Sequence, residues 1–334
     1  MKKKILFATV ILFCVLILTS IIYWQQSSTD NKMYISLTAT SENSECYFYI
    51  YDISSQNLTE IYKIPDTTQY PLGVVDRQQS NVYFTYRINR GDQLMRYDLR
   101  KKQVLQLTED IYAVNQILPV GEKVYLIAST FEHPRLGLIE YDLNNSTYKI
   151  LTPNSDVVMQ MTYDKLNNNI IFASYNWAEQ KKLQYEYEHQ NEEKQSVAQN
   201  AKYTIHNYNI ITKNISELAQ MNEVIAAMDI DNTGEKLLLR VANSLFEPRQ
   251  NVLFSLKEKQ FLNTIPVEQV KRLECIALAP DNSGIYFTGL LSSNSKEDYS
   301  SHPNALIYMD FSTGKCESVI SFEDKYINNF WICK

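Results

Sequence analysis

The sequence predicts an all-β chain, a closed ring of six four-stranded antiparallel blades, and three observations carry that prediction. A triplet made of an aromatic or apolar residue, a polar one and an apolar one occurs six times. Most copies stand about 45 residues apart, the length of one propeller blade. The fragments at the two ends of the repeating region together make one further repeat, which is what ring closure requires.

The triplets are Tyr51-Asp52-Ile53, Tyr97-Asp98-Leu99, Tyr141-Asp142-Leu143, Tyr208-Asn209-Ile210, Phe254-Ser255-Leu256 and Met309-Asp310-Phe311. Their middle residues are separated by 46, 44, 67, 46 and 55 positions. Upstream of each lies a short β-rich run, at 33–39, 81–87, 123–130, 169–176, 236–242 and 284–290. Turns precede five of these runs, at 76–80, 120–122, 164–168, 231–235 and 281–284, and another apolar stretch precedes each turn. A fourth stretch follows the triplet, as at 104–107 and 148–151. Each repeat therefore reads as four strands, without the 3.6-residue periodicity of a long helix. The first triplet lacks an innermost strand, and the 24 residues after Met309-Asp310 supply one. The C-terminal strand is thus expected to complete the blade begun at residue 33. The sequence holds 8 Gly in 334 residues, far below the roughly 7% of average proteins, so Gly-rich phosphate loops are improbable.

Ahead of the ring, Lys2, Lys3 and Lys4 precede an uncharged apolar run over residues 5–24. Twenty residues at 1.5 Å each span a hydrocarbon core of roughly 30 Å. Tyr23 and Trp24 suit a membrane interface, and the lysines set a cytoplasmic N-terminus. The expected organisation is a cytoplasmic tail (1–4), a transmembrane signal anchor (5–24), a polar tether (25–32) and an extracytoplasmic propeller (33–334). A cleaved secretory signal is the competing account. Without the three lysines, the formal charge of −6 becomes about −9, which disfavours nucleic acid as a partner. Four cysteines lie beyond the anchor: Cys46, Cys275, Cys316 and Cys333. Two disulfides or four buried thiols both fit, and the spacing is not that of a zinc site.

The stretch Ala279-Pro280-Asp281-Asn282-Ser283-Gly284-Ile285-Tyr286-Phe287 resembles the strand–turn–strand signature SPDGkkIaF of TolB-like propellers. The Tyr-Asp-Leu triplets and the Leu107-Thr108 and Leu151-Thr152 endings continue that pattern. The resemblance covers residues 33–334 and extends, more loosely, to WD-repeat-like proteins and to the propellers of prolyl-oligopeptidase-type enzymes. It implies the six-bladed fold. Here Asn, Gln and Ser replace the usual turn glycines. No small α/β domain of the kind that precedes the TolB propeller is expected, so a role in the Tol system is not implied.

No GxSxG elbow or HExxH motif is present, and no chain remains for a hydrolase domain. Ser293-Asn294-Ser295-Lys296 matches SxxK only within a polar loop. The segment Asp229-Ile230-Asp231-Asn232-Thr233-Gly234 begins like a calcium loop, but Arg240 stands where the bidentate Glu belongs. It reads instead as a turn. His133, His189, His206 and His302 show no ligand spacing. No catalytic residue, metal ligand or cofactor is therefore assigned.

Loops between a blade's second and third strands share a face with the linkers between blades. On that face lie the insertions, over 177–201 and 291–303, and two similar loops, Phe131-Glu132-His133-Pro134-Arg135 and Phe246-Glu247-Pro248-Arg249. Aromatic and Arg side chains dominate binding hot spots. Phe131, His133, Arg135, Trp177, Phe246 and Arg249 are therefore the candidate partner-binding residues. The competing account packs each Phe onto the blade edge and pairs Glu with Arg in solvent. Every linker also carries a carboxylate: Asp66, Asp110, Asp156, Glu223, Glu268 and Asp324. Gathered at the channel mouth, these would focus negative potential on a cation or a basic peptide. The function expected is a non-catalytic, membrane-anchored module that binds or scaffolds a protein or peptide at the cell surface. The alternative is a metal-dependent small-molecule hydrolase, similar to lactonase-like propellers, with a cation held in the central channel.

Overall fold

The computed structural model describes residues 33–68, 70–189, 199–244, 248–267, 270–291 and 303–333, without the side chains of residues 271 and 291. The proposed tail, anchor and tether lie outside these residues, as do Phe246, Glu268 and the SxxK match. Among the described residues, no helix is long and apolar enough to cross a membrane.

Strands β1 (Tyr34–Ser41), β2 (Glu45–Asp52) and β3 (Asn57–Pro65) form the outer three positions of blade 1. Blade 2 comprises β4 (Gly73–Asp76), β5 (Asn81–Ile88), β6 (Gly91–Asp98) and β7 (Gln103–Gln106). Blade 3 comprises β8 (Ile111–Val120), β9 (Lys123–Thr130), β10 (Gly137–Asp142) and β11 (Thr147–Ile150). Blade 4 holds β12 (Asp156–Asp164), β13 (Asn169–Asn176), helix α1 (Trp177–Glu188), β14 (Tyr203–Asn209) and β15 (Ile215–Met221). Blade 5 is β16 (Val224–Ile230), β17 (Lys236–Ala242), β18 (Gln250–Ser255) and β19 (Gln260–Ile265). In blade 6 the innermost position is split between β20 (Val270–Lys271) and β21 (Ile276–Leu278), followed by β22 (Gly284–Leu291), β23 (Ala305–Asp310) and β24 (Cys316–Ser321). Finally β25 (Lys325–Cys333) pairs antiparallel with β1, from Tyr34 opposite Cys333 to Ser41 opposite Lys325. The C-terminal strand closes the ring, as the residue arithmetic requires.

Both faces of every blade are covered, so the central strands read as nearly continuous apolar runs. In β9, Val124, Leu126 and Ala128 face blade 2 while Tyr125 and Ile127 face blade 4. Six hydrophobic clusters result, one in each seam between adjacent blades. The triplets have a fixed place in this scheme. Tyr51, Tyr97, Tyr141, Tyr208, Phe254 and Met309 each enter the seam shared with the preceding blade.

The second triplet position ends the third strand and caps the turn that follows. Asp52 Oδ1 accepts the N–H groups of Ser54 and Ser55, and Asp98 Oδ1 those of Arg100 and Lys101. Asp142, Asn209 and Asp310 repeat the arrangement, and Ser255 Oγ accepts the N–H of Glu258. Such side-chain caps stabilise turns by mimicking a backbone acceptor.

Polar bonds stitch the same seams. Gln93 Nε2 donates to Ile111 O (2.7 Å), and Gln116 both donates to Met161 O (2.8 Å) and accepts from Met161 N (3.0 Å). Ser36 Oγ accepts from Val75 N, and Ile327 N donates to Pro303 O. Asp229 serves two seams, taking the Thr162 hydroxyl (2.9 Å) and the Leu278 N–H (2.8 Å). All four cysteines of the described residues are free thiols. Burial raises their pKa values, Cys333 to about 12 and Cys275 to about 11, which keeps them protonated and unreactive.

Candidate functional site

The two faces of the ring differ. On the linker face, the loops between second and third strands are tight in blades 1 and 2, at residues 42–44 and 89–90. In the four consecutive blades 3 to 6 they lengthen to residues 131–136, 177–202, 243–249 and 292–304. One side of this face therefore carries the long loops.

The blade 4 insertion begins with α1, a helix absent from the sequence expectation of a plain loop. The Asn176 side chain accepts the Glu179 N–H at 3.1 Å, a standard N-terminal cap. The helix has no buried residue, so it lacks the apolar stripe by which helices are read from sequence. The signal available was the spacing of Asn176 and Glu179, a capping-box pattern. Its base is pinned by Trp177 N to Ser155 O (2.9 Å) and by Ala201 N to Gln180 Oε1 (2.9 Å). Asn200 Nδ2 donates to Asn243 O, tying the end of the insertion to blade 5.

Two of the sequence candidates meet here. The Arg135 guanidinium lies 5.6 Å from the Trp177 ring centroid, and Lys181 Nζ lies 4.7 Å from it. Arg135 Nη1 is fixed by the Asn154 carbonyl at 2.7 Å. Phe131 is not packed onto the blade edge: it is 53% exposed and meets Tyr112, equally exposed, edge to face at 5.7 Å. Tyr112 was missed because it lies at the start of a strand rather than in a loop. His133 is a turn residue, its N–H bonded to Thr130 Oγ1 and its carbonyl to Thr130 N. Arg249 lies apart from this group, at a notch between blades 5 and 6. Tyr185 and Tyr187 add exposed rings from α1.

Four of the five described linker carboxylates are held by neighbouring side chains or backbone. Asp66 accepts the Thr68 N–H, Asp110 the Tyr148 hydroxyl on the outermost strand, Asp156 the Ser155 hydroxyl, and Asp324 pairs with Lys325. Burial raises the Asp66 pKa, whereas the Lys325 ammonium lowers that of Asp324. Neither these four nor Glu223 line the channel cavities.

The channel itself holds two cavities. One, of about 240 Å³, is lined by innermost-strand residues including Asn115, Gln116, Gln160, Asp229, Asn328 and Asn329. The other, about 670 Å³, opens on the opposite face beside Asp76, Asp164 and Asp231. Each of those carboxylates caps its own turn, accepting the N–H of Gln79, Asn167 and Glu235 respectively. The calcium-like segment is therefore a turn. Trp331 lines both cavities and packs against the clusters of blades 2–3 and 3–4, so it stands across the channel. Among the described residues, no group of three or more His, Cys, Asp or Glu side chains is placed to hold a metal ion.

No protein-family model and no curated protein sequence matches the chain. Among solved structures, it is similar to TolB from Acinetobacter baumannii, at 12% identity and TM-score 0.60, over 91% of this chain and 67% of that one. A chain of a nidogen/laminin complex gives 12% identity and TM-score 0.59, over 89% and 98%. A putative TolB from Agrobacterium tumefaciens gives 10% and 0.55, over 91% and 100%. At these identities the likeness is one of fold, and the chain shares with these structures the β-propeller architecture, here of six blades.

Proposed function

We propose that this chain is a membrane-anchored, extracytoplasmic propeller that binds a protein or peptide partner on its linker face without catalysing a reaction. The observation that carries the reading is the asymmetry of that face, where the connections between second and third strands are long in blades 3 to 6 alone. That face presents Phe131 against Tyr112 of β8, Trp177 within reach of both Arg135 and Lys181, and the tyrosines of a helix that buries nothing. Exposed Phe and Tyr rings, with a half-buried Trp beside Arg, have the composition of binding hot spots. A chain of similar fold occurs in a nidogen/laminin complex, which supports protein binding as a use of this architecture. The anchor rests on the lysine cluster and on the 20-residue apolar run.

The test is affinity capture with the full-length chain from detergent-solubilised membranes of its own source. A specific protein should be recovered by the wild type and lost with Phe131→Ala/Trp177→Ala at unchanged melting temperature. Equal recovery by both chains would refute the face. Alkaline extraction and external protease test the topology: the chain should stay with the membrane while its propeller is digested from outside.

A further inference from the structure

Arg240 occupies a place that the alternation of β17 makes unusual. Leu237, Leu239 and Val241 pack toward blade 4, whereas Leu238 belongs to the cluster shared with blade 6. Arg240 continues the Leu238 row at the linker end of the strand, so its guanidinium enters the blade 5–6 seam. Its Nε and Nη1 are buried and have no hydrogen-bond partner among the described residues. Leaving such donors unpaired is costly, more so on a charged group. A notch of about 400 Å³ opens beside it, lined also by Arg249, Arg272, Asn251 and an apolar wall that includes Ile265 and Leu273. Among the described residues, that lining contains no carboxylate. Glu274 is near enough to act on Arg240 electrostatically but forms no ion pair with it. Asn251 sits directly across the ladder from Arg240, and its amide oxygen is unpaired as well. A half-turn of that amide presents N–H groups to the same space.

We infer that this notch is a binding site for a carboxylate carried next to an apolar group, with the half-buried Arg240 as the inner partner and Arg249 at the rim. Guanidinium groups bind carboxylates bidentately, and the apolar wall takes up the adjoining hydrocarbon. Phosphate would satisfy the arginines but leave that wall uncovered. Burial, and then the neighbouring Arg249, lowers the Arg240 pKa to about 10, which accords with a cation awaiting an anion. The site is distinct from the Phe131–Trp177 group and does not depend on that surface binding a protein.

The test is a thermal-shift titration of the purified full-length chain at fixed ionic strength, with N-acetyl-leucine, N-acetyl-leucinamide and inorganic phosphate as probes. N-acetyl-leucine should raise the melting temperature saturably and well beyond the other two. Arg240→Met should abolish that rise without lowering the starting melting temperature, because it removes buried donors that have no partner. Arg249→Gln should weaken the response several-fold. Equal responses to the acid and the amide, or to the acid and phosphate, would overturn the assignment. So would an unchanged response in both variants. Glu247 and Glu268 flank the notch in sequence. If Glu247→Gln or Glu268→Gln lowers the melting temperature in the wild type but not in Arg240→Met, the chain supplies its own carboxylate, and the site for an external ligand is refuted.

Discussion

The Asp229 carboxylate accepts the backbone N–H of Leu278 at 2.8 Å, so a side chain of blade 5 replaces the strand pairing that the innermost strand of blade 6 lacks on its axial side. Its other oxygen takes the Thr162 hydroxyl of blade 4, and one buried residue thereby fixes three blades. Asp229→Ala orphans the Leu278 N–H and should cost about 1–3 kcal/mol, the penalty for an unpaired buried polar group. Asp229→Asn keeps an acceptor for Leu278 and offers a donor to Thr162, so it should cost less than half as much. Urea unfolding of the two variants checks the order. Equal losses would mean that the charge, not the hydrogen-bond geometry, holds the seam.

The turns after the six triplets allow a second prediction. The fourth residue beyond each cap has positive φ: Gln56, Lys102, Ser146, Lys213, Lys259 and Gly314, between 53° and 66°. Only one of the six is glycine, the residue that takes this conformation without strain. Lys102→Gly and Lys259→Gly should therefore stabilise the chain by about 0.5–1 kcal/mol each. Gly314→Ala should destabilise it by about 1 kcal/mol, since a Cβ there meets nothing within 4 Å and only the backbone conformation is at stake. Melting temperatures of the three variants decide the matter; three shifts of the same sign would defeat it.

These turns also show why so much of the fold was legible. A repeated triplet reports seam packing through its first residue and a capped turn through its second, and both recur at the same place in every repeat. Closure was legible because it is a matter of chain length alone. The site was less so. The direction of a linker carboxylate depends on its neighbours, and Asp110 turns to Tyr148 on the outermost strand rather than to the axis. Helix α1 escaped because it buries no face. Arg240 left a trace, a charge inside the run Lys236–Ala242, but its consequence depends on which seam that side of β17 enters.

The acid limb of stability should depend on Glu140, buried between blades 3 and 4. Tyr208 (2.7 Å), Lys213 (3.0 Å) and Tyr125 (3.1 Å) all donate to Oε2. Burial on its own raises the carboxyl pKa, but the hydrogen bonds from Tyr208 and Lys213 outweigh it and hold the group below its ordinary value of 4.5. A folded pKa below the unfolded one contributes stability that is fully present above the unfolded value and disappears as pH falls through the folded value. Glu140→Gln should therefore cost about 1–3 kcal/mol at neutral pH. The difference from wild type should shrink steadily below pH 4.5. A pH-independent difference would show that the loss is one of packing.

Ring closure provides the last prediction. Strand β25 contributes Ile327, Phe330 and Ile332 to the seam between blades 1 and 6, while Trp331 reaches across the channel to the clusters of blades 2–3 and 3–4. The C-terminal segment thus holds the ring both along its circumference and across its axis. Trp331→Ala should cost about 2–4 kcal/mol, at or below the usual range for a deleted Trp because the ring is only partly buried. Removing residues 325–334 is a different perturbation. It strips the innermost strand from blade 1 and leaves β1 with an unpaired apolar edge, so the remaining blades have no closed seam to cooperate through. The truncated chain should lose its single unfolding transition and self-associate, as light scattering would show. A sharp, monomeric transition near the wild-type midpoint would mean that five blades hold the ring without its closing strand.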